Sequence, residues 1–144
     1  MSHAIGARAP RRRDATLVAG RGRFVADLDR PVQAWARVVR SPVAHAALRG
    51  IDIDAALAHP GVVAVLTASD LPDVRIPIRL TFAATPEAEG VLQPVLARTV
   101  VRYVGEPVAL VIAEDAWTAE DAAELVTLDL EILDAATLRR HGMD

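Results

Sequence analysis

The sequence predicts a mixed α/β domain of the α+β kind, and three observations carry that prediction. Hydrophobic residues make up 52% of the chain but aromatics only 3%, so the core must be built from Val, Leu, Ile and Ala, which let strands pack closely on helices. Short β-branched runs are separated by Gly, Pro and Asp turns. Residues 101–131 read as strand, strand, helix, strand. A chain of 144 residues is the size of one ordinary domain and buries roughly 70% of its unfolded surface.

Each element follows from local pattern. Residues 34–40 alternate, with Trp35, Arg37 and Val39 opposed to Ala36 and Val38, and Ser41-Pro42 closes that strand. Asp52 or Asp54 caps a short helix through Ala55, Ala56 and Leu57, which Pro60 ends because a residue before proline is pushed out of the helical region. Residues 62–66 form a continuous apolar run, the pattern of a strand covered on both faces. Thr67, Ser69 and Asp70 then suit one capped turn before Pro72.

Val74, Ile76 and Ile78 alternate around Pro77, which lacks a ladder donor, so this stretch is an edge strand. Residues 86–90 are a polar loop. Residues 100–104 form a strand, Gly105-Glu106-Pro107 a turn, and residues 108–113 a buried strand. Thr118 is placed to cap the next helix, with Glu120 and Asp121 in its first turn and Trp117 stapled on Ala122. Ala119, Ala122, Ala123 and Val126 recur at i, i+3, i+4 and i+7, a small-residue stripe that lets the helix approach a sheet. Leu128, Leu130 and Ile132 then face one way on a last strand, and residues 135–144 read as a ragged polar helix.

Composition excludes several functions. There is no Cys, which removes disulfides, thiolate nucleophiles and cysteine zinc sites, and fits a cytoplasmic chain. No apolar run reaches the ~18 residues of a membrane span, and the first residues lack a secretory apolar stretch. Residues 1–30 hold seven Arg against three Asp, or +4, which leaves −7 on residues 31–144 of an overall −3. Phe24 is the only aromatic on that basic segment, so base stacking lacks support and nucleic acid is not an expected partner. Gly20 and Gly22 lack the flanking strand, helix and Gly-Lys-Ser/Thr ending of a phosphate loop and read as a tight, close-packed crossing.

No catalytic, cofactor-binding or metal-ligating residue is assigned. His3, His45, His59 and His141 are scattered, with no two at helical ligand spacing and no carboxylate pair to complete a triad. Of these His45 is the best functional candidate, and a loop histidine is its default reading. No nucleophile elbow surrounds Ser2, Ser41 or Ser69. Asp52 with Asp54, and Glu120, Asp121 and Glu124, are explained by caps and a solvated helix face. Glu106, held between Gly105 and Pro107, is either an acid or base or, by default, a turn carboxylate bonding nearby amides, with Tyr103 beside it as core or rim.

With these residues laid out, the chain resembles the α/β hammerhead domain that opens the large subunit of the molybdenum hydroxylases, which include xanthine dehydrogenase, aldehyde oxidase and aerobic carbon monoxide dehydrogenase. The resemblance is carried by Gly20-Arg21-Gly22-Arg23-Phe24 with Asp27-Leu28, by Val39-Arg40-Ser41-Pro42-Val43-Ala44-His45-Ala46, and by Pro60-Gly61-Val62-Val63-Ala64-Val65-Leu66-Thr67. It continues through Gln93-Pro94-Val95-Leu96-Ala97, Val101-Arg102-Tyr103-Val104-Gly105-Glu106-Pro107-Val108-Ala109 and Ala119-Glu120-Asp121-Ala122-Ala123-Glu124-Leu125-Val126.

The resemblance implies a strand, strand, helix, strand, strand, strand, helix core over residues 17–133, a flexible basic segment at 1–16 and a divergent tail at 134–144. It also implies a hammerhead domain or split fragment of a molybdenum-cofactor oxidoreductase, contributing structure and subunit packing rather than catalysis. On that reading this chain alone binds no cofactor, and a molybdopterin-type molybdenum cofactor sits in the full enzyme. The implied partner is a cofactor-binding domain or subunit encoded elsewhere, with self-association as a further mode, and with neither nucleic acid nor membrane. The alternative is a stand-alone interaction or small-ligand-binding domain without the enzymatic context.

Overall fold

The computed structural model describes residues 11, 13–76 and 92–135, which fall into two compact units divided between Gln33 and Ala34. In the first, helix α1 (Asp14–Val18) ends at Gly20, whose positive φ of 66° lets Gly20 N–H and Arg21 N–H bond Leu17 and Thr16 carbonyls. A Cβ on Gly22 would lie 2.6 Å from Leu17 Cδ2, whereas one on Gly20 would meet nothing within 4 Å, so of the pair expected to make a close-packed crossing only Gly22 is closely packed. The Asp27 carboxylate closes the following 3-10 turn (Val25–Asp27) by accepting Phe24 N–H at 2.8 Å.

The second unit contains two antiparallel three-stranded sheets. In one, β7 (Pro107–Ala113) lies between β1 (Trp35–Arg40) and β3 (Val62–Thr67). In the other, β2 (Ala46–Asp52) lies between β6 (Val100–Val101) and β8 (Thr127–Ile132). A separate ribbon pairs β4 (Arg75–Ile76) with β5 (Gln93–Pro94). Helix α2 (Asp54–Leu57) packs on β3, and helix α3 (Ala116–Glu124) covers β1 and β7.

Two hydrophobic clusters result. Ala46, Leu48, Ala97, Val101 and Val108 form one. Ala56, Val65, Val111 and Ala122 form the other. Strand β7 is the wall between them: Val108 and Val111 lie an odd number of residues apart, so their side chains leave opposite faces. The small stripe of α3 is as expected, with Ala119 and Ala122 buried and Arg37 Nη2 anchoring Glu120 Oε1 at 2.7 Å.

Several local expectations need correction. Strand β2 is the second strand of the order the resemblance implies, but residue pattern alone did not show it, because Ala46, Ala47 and Gly50 carry little β propensity and their burial comes from β6 and β8. Residues 62–66 are a strand but not covered on both faces: β3 is a sheet edge, bulged around Val63, which is 63% exposed. The strand expected over 100–104 stops at Val101, because Tyr103 and Val104 enter the turn that Glu106 organises. Asp115, not Thr118, caps α3, its Oδ1 accepting Trp117 and Thr118 N–H at 2.9 Å each. Thr118 lies inside the helix and donates its hydroxyl to Asp115 Oδ2, while Trp117 is 81% exposed and staples nothing.

The turn at 68–70 matches its sequence signature, with Asp70 Oδ2 accepting from Thr67 N–H at 2.7 Å. Asp52 Oδ1 likewise accepts Asp54 N–H at the start of α2. Of the edge strand expected from Val74 to Ile78, residues 74–76 are described, and Arg75 and Ile76 form β4. The polar loop at 86–90, the helix expected beyond residue 135 and the segment before residue 11 lie outside the described residues.

Candidate functional site

Two of the motifs singled out in the sequence, Val39–Ala46 and Val101–Ala109, meet at the turn before β7. Strand β1 ends in Arg40-Ser41, 65 residues before Gly105-Glu106, and their backbones interlock: Gly105 N–H donates to Ser41 O at 2.8 Å and Ser41 N–H to Glu106 O at 2.9 Å. Arg40 Nη1 adds a bond to Gly105 O at 2.8 Å. Gly105 sits at φ 87°, a left-handed conformation that a side chain would disfavour. This turn aims the Glu106 side chain inward, where it is 2% exposed.

Both carboxylate oxygens of Glu106 are engaged. Oε2 accepts Arg102 N–H at 2.6 Å, and Oε1 accepts Arg102 Nε at 3.0 Å together with a close bond from Nη2. The guanidinium fork and the backbone amide thus compensate the charge that burial would otherwise penalise. The turn-carboxylate reading of Glu106 is the observed one, and a carboxylate holding three donors is an anchor, not a free base. Ser41, equally buried, donates its hydroxyl to Val43 O at 2.9 Å and accepts Val43 N–H, so it too is spent on its own turn.

Around this node lies a hollow of about 290 Å³ lined by Ala44, His45, Arg102, Tyr103, Val104 and Ala135. His45 is a loop histidine whose Nδ1 donates to Asp134 O at 2.7 Å, tying the residue before β2 to the chain after β8. Tyr103 is a rim residue, its hydroxyl donating to Gln93 Oε1 at 3.2 Å. The remaining candidates do not converge here. His59 bonds the carbonyl of its neighbour Pro60, Ser69 bonds Thr67, and Asp121 and Glu124 are exposed. His3, His141 and Ser2 lie outside the described residues. Sequence reading missed Arg102 and Ser41 as partners of the turn; the four-residue spacing of Arg102 and Glu106 was the available signal, normally read only on helices.

Two exposed caps have perturbed acidity. Asp115 is held below the usual carboxylate range first by the Thr118 hydroxyl and then by the Thr118 and Trp117 amides. Asp70 is lowered chiefly by the Thr67 amide and then its hydroxyl. Both are structural bonds.

The fold and this node define a mixed α/β domain in which two of those motifs interlock at one buried turn. A family model for the aldehyde oxidase and xanthine dehydrogenase a/b hammerhead domain matches residues 19–134, and the chain belongs to that family. It is 47% identical over 130 residues to the nicotine 6-hydroxylase large subunit of Paenarthrobacter nicotinovorans, covering 90% of this chain and 16% of that one. It is 35% identical over 127 residues to the xanthine dehydrogenase molybdenum-binding subunit of Escherichia coli O157:H7, covering 83% and 16%. The crystal structure of quinoline 2-oxidoreductase from Pseudomonas putida 86 superposes with a TM-score of 0.76 at 41% identity, over 90% of this chain and 16% of that one. The chain therefore spans about one-sixth of the length of these relatives.

That family implies a molybdenum cofactor, and the described residues do not make a cradle for one. Every buried side-chain nitrogen and oxygen among them is already bonded, and no three His, Asp or Glu side chains converge as ligands. No helix among the described residues is long and apolar enough to cross a membrane.

Proposed function

We propose that this chain is the hammerhead portion of the large subunit of a molybdenum-cofactor oxidoreductase, and that it serves as a structural and packing element rather than as the seat of catalysis. The observation that carries this reading is the combination of a family match over residues 19–134 with a length of about one-sixth of the relatives. The residues that carry the motifs are consumed by internal bonds at Ser41, Arg102 and Glu106, which supports an architectural use. On this reading residues 17–133 are the folded domain between a basic segment at 1–16 and a tail at 134–144. A cofactor-bearing portion of the large subunit is the partner, the molybdopterin-type cofactor is held there, and the assembly works in the cytoplasm.

The test is to produce the chain with the cofactor-bearing portion from the adjacent reading frame, as one polypeptide or two. The complex is isolated by size exclusion and its molybdenum is measured. Co-elution with stoichiometric molybdenum is expected. A chain that elutes alone as a monodisperse monomer beside a molybdenum-loaded partner would sink the reading in favour of a stand-alone binding domain.

A further inference from the structure

Among the described residues, the register of β2 leaves a strand position unfilled. Ala46 and Ala47 pair with Val101 and Val100 of β6, and Leu48 N–H reaches Thr99 O at 2.9 Å. In an antiparallel ladder successive residues turn their backbone groups to opposite neighbours, so Ala46 and Leu48 face β6. The bulge between Leu48 and Gly50 shifts that phase, and Gly50 and Asp52 face Asp129 and Thr127 of β8. Ile51 therefore presents its N–H and C=O on the other side, where β6 has already ended. Arg98 does not continue that ladder: the chain turns away through Ala97, whose N–H bonds Pro107 O.

The space so left is a cleft of about 340 Å³, at the lower end of the roughly 300–1,000 Å³ of ligand sites. Leu48 and Ile51 from one core cluster and Ile53 from the other line it, so it opens along the seam between the two clusters. Ser69 lines it too, and its charged lining residues are Arg49 and Arg98, with no Asp or Glu among them. Arg98 Nη2 donates to Leu71 O at 2.8 Å, and Arg98 Nε and Arg75 Nε approach one oxygen of Asp73 at 3.3 and 3.6 Å.

We infer that this cleft receives an extended segment of the cofactor-bearing portion of the large subunit, which adds a short strand beside Ile51 and sets an acidic side chain against Arg98. This rests on the function proposed above and deepens it. An unpaired edge supplies backbone bonds to such a strand, and the apolar floor and cationic rim supply the selection. A second copy of this chain fits less well, because the −7 carried by residues 31–144 repels its like.

Hydrogen exchange on the full chain, alone and in the complex with its cofactor-bearing partner, tests the assignment. The Ile51 amide exchanges rapidly in the chain alone and slows at least tenfold in the complex. Ser69→Trp, which fills the cleft from an exposed position, weakens the complex at least tenfold, and so does Arg98→Glu, while Val63→Thr on the bulged edge of β3 does not. A complex that forms with unchanged Ile51 exchange and unchanged affinity for Ser69→Trp overturns the inference and leaves the subunit reading standing. An Ile51 amide already protected in the chain alone overturns it as well. Absence of any complex with the unaltered chain removes the subunit reading itself, and the inference with it.

Discussion

Among the described residues Glu106 is the only ionisable side chain that is buried, and its bonds tie β7 to the chain before it. Removing its carboxylate leaves the Arg102 amide and guanidinium without their acceptor, so Glu106→Ala is expected to cost about 3 kcal/mol, measured by denaturant unfolding. The figure is at the low end for a buried pair because Arg102 keeps a third of its side chain in solvent. Glu106→Gln retains one acceptor and should cost about half as much. Gly61 is a second sensitive residue. At φ 83° it lies in the left-handed region, and an added Cβ would stand 3.1 Å from Thr118 Cγ2, so Gly61→Ala should cost about 2 kcal/mol. Gly105 has the same backbone strain and open space around it, so Gly105→Ala should cost only about 1 kcal/mol.

At the scale of elements, helix α3 depends on its cap and its small face. The Asp115 carboxyl binds its proton less tightly in the folded chain than in the unfolded one, through its bonds to Thr118 and Trp117. The stability this contributes is fully present above the ordinary carboxylate value of 3.8 and is lost as pH falls below it through the depressed folded value. Asp70 acts in the same sense at its 3-10 turn. Denaturant midpoints measured between pH 2 and pH 6 should therefore fall on the acid side, and Asp115→Ala should flatten part of that fall while lowering stability at neutral pH. On the other face, Ala122 is fully buried against the sheet, and Ala122→Leu should cost about 1–3 kcal/mol by forcing α3 away from β1 and β7. The stripe was legible because Ala at helical spacing has one geometric meaning. The cap was misplaced by three residues because Asp115 and Thr118 both satisfy the local preference, and only backbone geometry separates them.

The second unit as a whole is organised around β7, which contributes Val108 to one cluster and Val111 to the other. Val108→Ala and Val111→Ala should each cost about 2–3 kcal/mol, and their effects should add, since the side chains stand on opposite faces with no shared neighbours in the clusters. Because one strand serves both clusters, unfolding followed by tryptophan fluorescence and by far-ultraviolet circular dichroism should give coincident single transitions. Two transitions would show that the clusters are independent.

The sequence by itself determined the class of fold, the placement of β1, β3, β7, α3 and β8, and the turn at Glu106, because each rests on periodicity, capping residues or a Gly-Pro frame that acts within a few neighbours. Strand β2 was illegible for the opposite reason: its small residues are a strand only because β6 and β8 flank them. Val63 read as buried because an apolar run does not disclose whether it lies at the centre or the edge of a sheet. The pairing of Ser41 with Gly105 and the open position beside Ile51 were decided by tertiary structure alone. Long-range register fixes which backbone groups are satisfied, and no local pattern encodes it.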